Sequence, residues 1–142
     1  MYKGGNIFCD CETNYVKIYH QSSFSACETV LSKIKFEKEA LRSGNIVRRY
    51  RTDNGIYTSK EFMKEIYKEN QGISHSGVGW HHHNGVAENN IKIIIRNDRV
   101  MQIYASMRWT TCSDKSLWPM SVLHEVQLCN HIPRIGSNLS PL

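Results

Sequence analysis

The chain has 142 residues, a formal charge of +5 and a pI near 9.0, with 40% of its residues apolar and 22% charged. That length fits one domain with a buried core, and no apolar run is long enough to span a bilayer. With no signal-peptide h-region, a cytoplasmic or nuclear protein is expected, neither secreted nor in a membrane. The basic balance suits a polyanionic partner without specifying one.

Residues 1–5 read as a loop leading into a short strand over residues 6–11. Glu12-Thr13-Asn14 marks a turn. Tyr15, Lys17 and Tyr19 alternate with Val16 and Ile18, the period of a second strand over residues 15–21. So tight a connection predicts an antiparallel hairpin.

Ser25 with Glu28 three positions on is a capping box, and Gly44 supplies the stop of the helix it opens. Cys27, Val30, Leu31, Ile34 and Leu41 fall at helical spacing and are expected to be its buried face. Lys33, Lys35, Glu37 and Lys38 read as its solvated face. Residues 46–52 form the next expected strand, with Asp53 at its C-terminal end. A fully buried parallel strand would be almost wholly apolar. This one carries Arg48, Arg49 and Arg51, so at least one side should meet solvent or a polyanion.

Thr58 and Glu61 make a second capping box, for a helix to about Asn70 with Phe62, Met63, Ile66 and Tyr67 as its apolar stripe. Residues 73–76 are a candidate short strand, and residues 77–84 a glycine- and histidine-rich loop. A long helix is expected from about Val86 to about Ser106. Its first turn holds Glu88, where the positive end of the helix dipole favours an ionised carboxylate. Ser116-Leu117-Trp118-Pro119 opens a last helix, to about His131, which Pro133 prevents from continuing. Strands interleaved with helices predict an α/β domain with a mixed sheet.

Two carboxylates stand out. Asp53 and Glu88 lie 35 positions apart, each beside an Asn-Gly pair or just after one, at the end of a strand and the start of a helix. Carboxylates on element ends beside tight turns are raw material for a divalent-metal site. The five cysteines offer less. Cys9-x-Cys11 puts two sulfurs on one face of a strand, but a structural zinc site needs four ligands and no second such pair completes it. Free thiols and no zinc are expected.

Y-R-T-D-N-G (50–55), T-S-K-E-F (58–62) and S-G-V-G-W-H-H-H-N-G-V-A-E (76–88) together resemble the catalytic core of retroviral-type integrases, and most of all the copia-type retrotransposon branch. The likeness continues through G-G-N-I-F-C-D-C-E-T-N-Y-V upstream, and through L-W-P-M, C-N-H-I-P-R and N-L-S-P-L downstream, so it covers essentially the whole chain. It implies an RNase H-like mixed sheet flanked by helices, and metal-dependent DNA strand transfer in DNA integration. A D-D-E triad would hold two Mg²⁺ or Mn²⁺ ions, one activating a water or a DNA 3′-hydroxyl and the other stabilising the leaving 3′ oxygen. Asp53 matches the second aspartate and Glu88 the glutamate, which makes both the expected catalytic residues and metal ligands.

The first aspartate of the triad has no such match. The position matched by Asp10 is the far end of the family's second strand, where an aspartate accepts hydrogen bonds from turn amides. On this alignment the first, central strand and its aspartate lie upstream of Met1, and the family also continues past S-P-L. Residues 1–142 are then a partial core with two unpaired strand edges, a fragment of an element-encoded polyprotein or a decaying remnant, inactive by itself. The alternative is a non-catalytic nucleic-acid-binding or dimerising remnant.

The partners implied are element-end and target DNA, with a homo-oligomer in the parent protein. Lys92, one turn after Glu88, matches a basic position that faces DNA ends; Asn84 is the next DNA-binding candidate. Asn89 stands where copia-type sequences usually carry arginine. The run His81-His82-His83 reads as a loop near the catalytic metals, with DNA contact second and a dedicated metal site third. Asn90 and Asp98 share a helical face with Ile94 and Met101, where relatives carry small apolar residues. They are either buried at a cost of several kcal/mol if unpaired, or turned to water by a rotated helix.

Overall fold

A computed structural model describes residues 1–76, 85–110, 114–133 and 138–142. The elements, in order, are β1 (Gly4–Cys9), β2 (Val16–Gln21), α1 (Ala26–Arg42), β3 (Arg49–Thr52), a 3₁₀ turn (Ile56–Thr58), α2 (Lys60–Lys68), β4 (Gly72–His75), α3 (Gly85–Arg108), a second 3₁₀ turn (Lys115–Leu117) and α4 (Trp118–His131). The strands form two separate pairs, β1–β2 and β3–β4. The first is antiparallel: Lys3 N–H donates to Gln21 C=O at one end, and Asp10 N–H to Tyr15 C=O at the other. The second is parallel, with Arg49 opposite Gly72 and Thr52 opposite His75. Both orientations are therefore present, as expected, but not in one continuous sheet. By contact density the chain divides into two units, Met1–Asn6 with Tyr19–Gly85, and Ile7–Ile18 with Val86–Leu142.

In the first unit, α1 begins where the capping residues require. Ser25 is the N-cap and its side chain accepts the Glu28 N–H. The Glu28 carboxylate reaches back to the Ser22 and Ser23 N–H groups. At the other end Gly44 has φ +81°, its N–H donates to Leu41 C=O, and Asn45 N–H donates to Ala40 C=O. This Schellman arrangement needs a left-handed residue, which glycine supplies without strain.

The expected buried face of α1 holds only in part, with Val30 and Ile34 half-buried. Leu31 and Leu41 are exposed, as is Cys27, and the helix buries Thr29, Ser32 and Lys33 instead. Lys33, expected on the solvated face, is fully buried. Its ammonium lies 2.9 Å from a Glu37 carboxylate oxygen and 5.6 Å from the Tyr50 ring centroid. Glu37 also accepts from Tyr50 Oη at 2.7 Å and from Gln71 Nε2. A bidentate, multiply hydrogen-bonded carboxylate is what lets an ammonium leave water. Burial, and then donation to Glu37, push the Tyr50 hydroxyl well above its ordinary range.

The second helix starts one residue later than its sequence suggested. Ser59 is the N-cap, accepting from Phe62 N–H, while Thr58 ends the 3₁₀ turn and donates its hydroxyl to Gly55 C=O. Of its apolar stripe, Phe62 and Ile66 are buried, and Tyr67 is exposed. The rings of Tyr50 and Tyr57 meet Phe62 edge-on, with centroids 6.4 and 5.3 Å away. At its C-terminus Asn70, with φ +52°, takes the left-handed position that Gly44 takes after α1, and Gln71 N–H donates to Ile66 C=O. The strand expected over residues 46–52 is shorter, and β3 alternates exposed Arg49 and Arg51 with buried Tyr50 and Thr52.

In the second unit, Val16, Ile94, Val122 and Val126 form the core, with Ile7, Cys9, Ile18, Trp118 and Cys129 packed around it. Asn130 on α4 grips β2 through both ends of its amide. Its Oδ1 accepts Val16 N–H at 2.9 Å and its Nδ2 donates to Val16 C=O at 2.7 Å. The sequence left open whether α3 buries Asn90 and Asp98; both are buried with Ile94. Asp98 is paired there, accepting from Gln102 Nε2 at 2.8 Å and from the Ser121 hydroxyl of α4. Asn97 likewise donates to buried Glu125 at 2.7 Å. The α3–α4 contact thus carries polar pairs. No helix among the described residues is long and apolar enough to cross a membrane.

Candidate functional site

Asp53 is the first residue past β3 and is exposed. Its position is fixed by its own turn and by the end of β4. The carboxylate Oδ1 accepts the Gly55 N–H at 3.0 Å, an Asx turn of the kind that Asp-Asn-Gly favours. Asn54 Nδ2 donates to Ser76 C=O at 2.7 Å, and Ser76 N–H donates to Thr52 C=O at 2.9 Å. His75 Nδ1 lies 2.9 Å from Thr52 Oγ1 and 3.3 Å from the Asp53 carbonyl oxygen. The parallel register that sets Thr52 beside His75 therefore also orients the turn. Oδ2 of this exposed residue has no hydrogen-bond partner among the described residues.

Tyr57, in the 3₁₀ turn that follows, donates its hydroxyl to Asn6 Oδ1 at 3.2 Å. Burial, and then the nearby Asp53 charge, push that hydroxyl up to about 12. It remains a neutral donor throughout the physiological range.

Glu88 is half-buried in the first turn of α3 and belongs to the second unit, whereas Asp53 belongs to the first. The structure brings Lys92 one helical turn after Glu88, exposed, with no ion pair between them among the described residues. Both side chains stay available to a ligand. Two further cations continue from Lys92 at helical spacing, Arg96 and Arg99, both exposed. Reading by motif stopped at Lys92 and missed them, although the i, i+4, i+7 spacing was present in the sequence. His75 and Asn54 were missed too. Their part in holding Asp53 comes from a strand pairing that no local pattern reveals.

Asn84 and the run His81–His83 lie outside the described residues. Asp10 is fixed in the hairpin turn. Its Oδ2 accepts the Thr13 N–H at 2.7 Å and the Thr13 hydroxyl at 2.6 Å. Partial burial raises this carboxyl, but the hydrogen bonds from the Thr13 side chain, the Thr13 N–H and the Glu12 N–H outweigh it and hold the group below its ordinary value. Asn14, at φ +59°, closes the turn. Of the described cysteines, Cys11 and Cys27 are exposed free thiols.

Asp53 and Glu88 are donors of the type a hard divalent cation takes. Among the described residues, however, no group of three His, Cys, Asp or Glu side chains could hold a metal ion. The donor set is incomplete within them.

No protein-family model matches the chain, and no curated protein matches it. Solved structures do. The chain is similar to the HTLV-2 integrase catalytic core domain in its magnesium complex, dimeric form, with TM-score 0.64, 16% identity, and coverage of 99% of this chain and 86% of that one. The trimeric form gives TM-score 0.65 at 14% identity, over 97% of this chain and 90% of that one. An intasome of simian T-cell lymphotropic virus, in complex with PP2A regulatory subunit B56 gamma, gives TM-score 0.72 at 14% identity. There the match covers 97% of this chain but about half (51%) of the other. At such identities the likeness is one of architecture. The chain has an α/β fold, strands flanked by helices, similar to that of these integrase catalytic cores.

Proposed function

We propose that this chain is part of the integrase catalytic core of a copia-type retrotransposon, carrying two of the three carboxylates of the D-D-E site and binding DNA without performing strand transfer by itself. The observation that carries this reading is the contrast between Asp53 and Asp10. Asp53 stands on a braced turn with one carboxylate oxygen unpartnered among the described residues, while Asp10 is held by Thr13 in a turn of its own. That contrast supports reading Asp10 as a turn residue and not as the third ligand. When bound, Mg²⁺ or Mn²⁺ would supply charge neutralisation and Lewis acidity at a phosphodiester. Asp53 and Glu88 are the residues of this chain that would hold it. Neighbouring cores bind magnesium and form dimers or trimers, which supports the same metal and self-association for the parent of this chain.

Lys92 contributes a phosphate contact next to Glu88, extended along α3 by Arg96 and Arg99. Such contacts position DNA without reading its sequence. No third carboxylate joins Asp53 and Glu88 among the described residues, so binding and chemistry should separate: in-line attack needs reactants placed to within about 1 Å.

The test is a side-by-side assay of duplex binding and Mn²⁺-dependent strand transfer. Binding is expected, with a salt slope that falls by about 0.9 in Lys92→Ala, and no joined product. Joined product abolished by Asp53→Asn would show an active enzyme and overturn the reading. Absence of any salt-dependent DNA binding would overturn it from the other side.

A further inference from the structure

The arginines of β3 take no part in the site built on Asp53 and Glu88. Arg48, Arg49 and Arg51 are all exposed, and Arg49 and Arg51 project from one side of β3 while Tyr50 and Thr52 are buried on the other. Across the parallel pair their partners are Gly72 and Ser74, so no long side chain of β4 covers them. The stem of Arg49 lies along Gly72, where an added Cβ would meet Nε at 3.4 Å and Cγ at 3.5 Å. Ion pairs among the described residues join Lys33 to Glu37, and Lys68 to Glu65 and Glu69. None of them neutralises an arginine.

Uncompensated like charges this close repel one another and are relieved by a polyanion. Guanidinium groups match phosphate in shape and donor geometry. Two residues along a strand advance about 6.6 Å, which leaves room for each guanidinium to take a separate phosphate of one DNA strand. Among the described residues the open face offers Arg49, Arg51, Gly72 and Ser74 and no aromatic ring, whereas single-stranded nucleic acid is held on stacking platforms. We infer that the arginine face of the β3–β4 pair is a DNA-contacting surface in its own right, which takes the phosphate backbone of duplex DNA. It rests on charge and exposure and is independent of the two carboxylates and of Lys92.

The experiment measures binding of the full chain to a fluorescent DNA duplex across a salt series. Arg49→Ala/Arg51→Ala is expected to reduce the slope of log K against log salt by about 1.8, two phosphate contacts at about 0.9 each. Arg49→Lys/Arg51→Lys should keep the slope, because charge is retained. Lys35→Ala/Lys38→Ala removes equal charge from exposed positions of α1 and should leave the slope unchanged. Should the alanine pair not fold, Arg51→Gln alone is expected to lose about 0.9. An unchanged slope in the arginine variants overturns the inference, as does an equal loss in the lysine control. Tighter, arginine-dependent binding of single-stranded RNA overturns the assignment to duplex DNA. Lys92→Ala separates the two surfaces. Loss there with none at the arginines sinks this surface alone; the reverse result leaves it standing and removes the Lys92 contact.

Discussion

Removing the Glu37 carboxylate should be among the most damaging single changes in the first unit. Lys33 is fully buried, and Glu37 is its ion-pair partner, at 2.9 and 3.0 Å from the two carboxylate oxygens. Among the described residues, Glu37→Ala would leave that ammonium with only the Tyr50 ring, 5.6 Å away. Breaking a buried pair from one side costs about 3–5 kcal/mol. The Tyr50 hydroxyl and the Gln71 amide lose an acceptor as well, at about 1 kcal/mol each. Water offsets part of this, because the Glu37 side chain retains 19% exposure, and the cation–π contact retains about 1 kcal/mol or more. A net loss of about 3 kcal/mol follows, which at a urea dependence of about 1–3 kcal/mol per molar lowers the midpoint by roughly 1–3 M. Lys33→Met/Glu37→Gln should recover most of it, since no charge is left buried and the glutamine still accepts from Tyr50. Urea unfolding followed by circular dichroism gives both numbers. A loss under about 1 kcal/mol for Glu37→Ala, or a double variant no better than the single, would refute the account.

Asn130→Ala should cost about 2–5 kcal/mol in the same assay, because it strands the N–H and C=O of fully buried Val16; a change under about 1 kcal/mol would contradict this. Gly44→Ala meets no atom within 4 Å but must adopt φ +81°, so a loss of about 1 kcal/mol is expected from backbone strain alone. For Asp10, whose folded carboxyl is held low, the hairpin gains stability above the unfolded value of about 3.9 and loses it as pH falls through the folded value. The Thr13 amide resonance should therefore titrate with a midpoint below about 3.9, and a midpoint at or above it would contradict the hydrogen bonding.

Local signals read well from sequence. The Ser25 cap, the Gly44 stop, the turn between β1 and β2 and the long helix bearing Glu88 all depend on a few adjacent residues. So does the placing of Asp53 just past a strand, because Asp-Asn-Gly carries its turn with it. The face of α1 read only in part. Its leucines at 31 and 41 suggested one side, but Glu37, the ion-pair partner of Lys33, is itself held by Tyr50 and Gln71, distant in the chain. Asp98 is the same case, since its burial depends on Ser121 of α4. Of the candidate site, the carboxylates and Lys92 were proposed from motif alone. The bracing of Asp53 by His75 and Asn54 was not, because it requires knowing that β3 pairs with β4.

The clamp of Asn130 on Val16 has a consequence for how the protein is made. To β2 the carboxamide presents one donor and one acceptor, as a neighbouring strand would. The two residues are 114 positions apart, so at roughly 5–20 residues per second the ribosome delivers the clamp on the order of ten seconds after the strand. During that interval the Val16 end of the hairpin offers bare backbone groups to any other extended segment nearby. Chaperone dependence and aggregation during synthesis should therefore rise in Asn130→Ala beyond what its loss of equilibrium stability predicts, because in that variant the interval never closes.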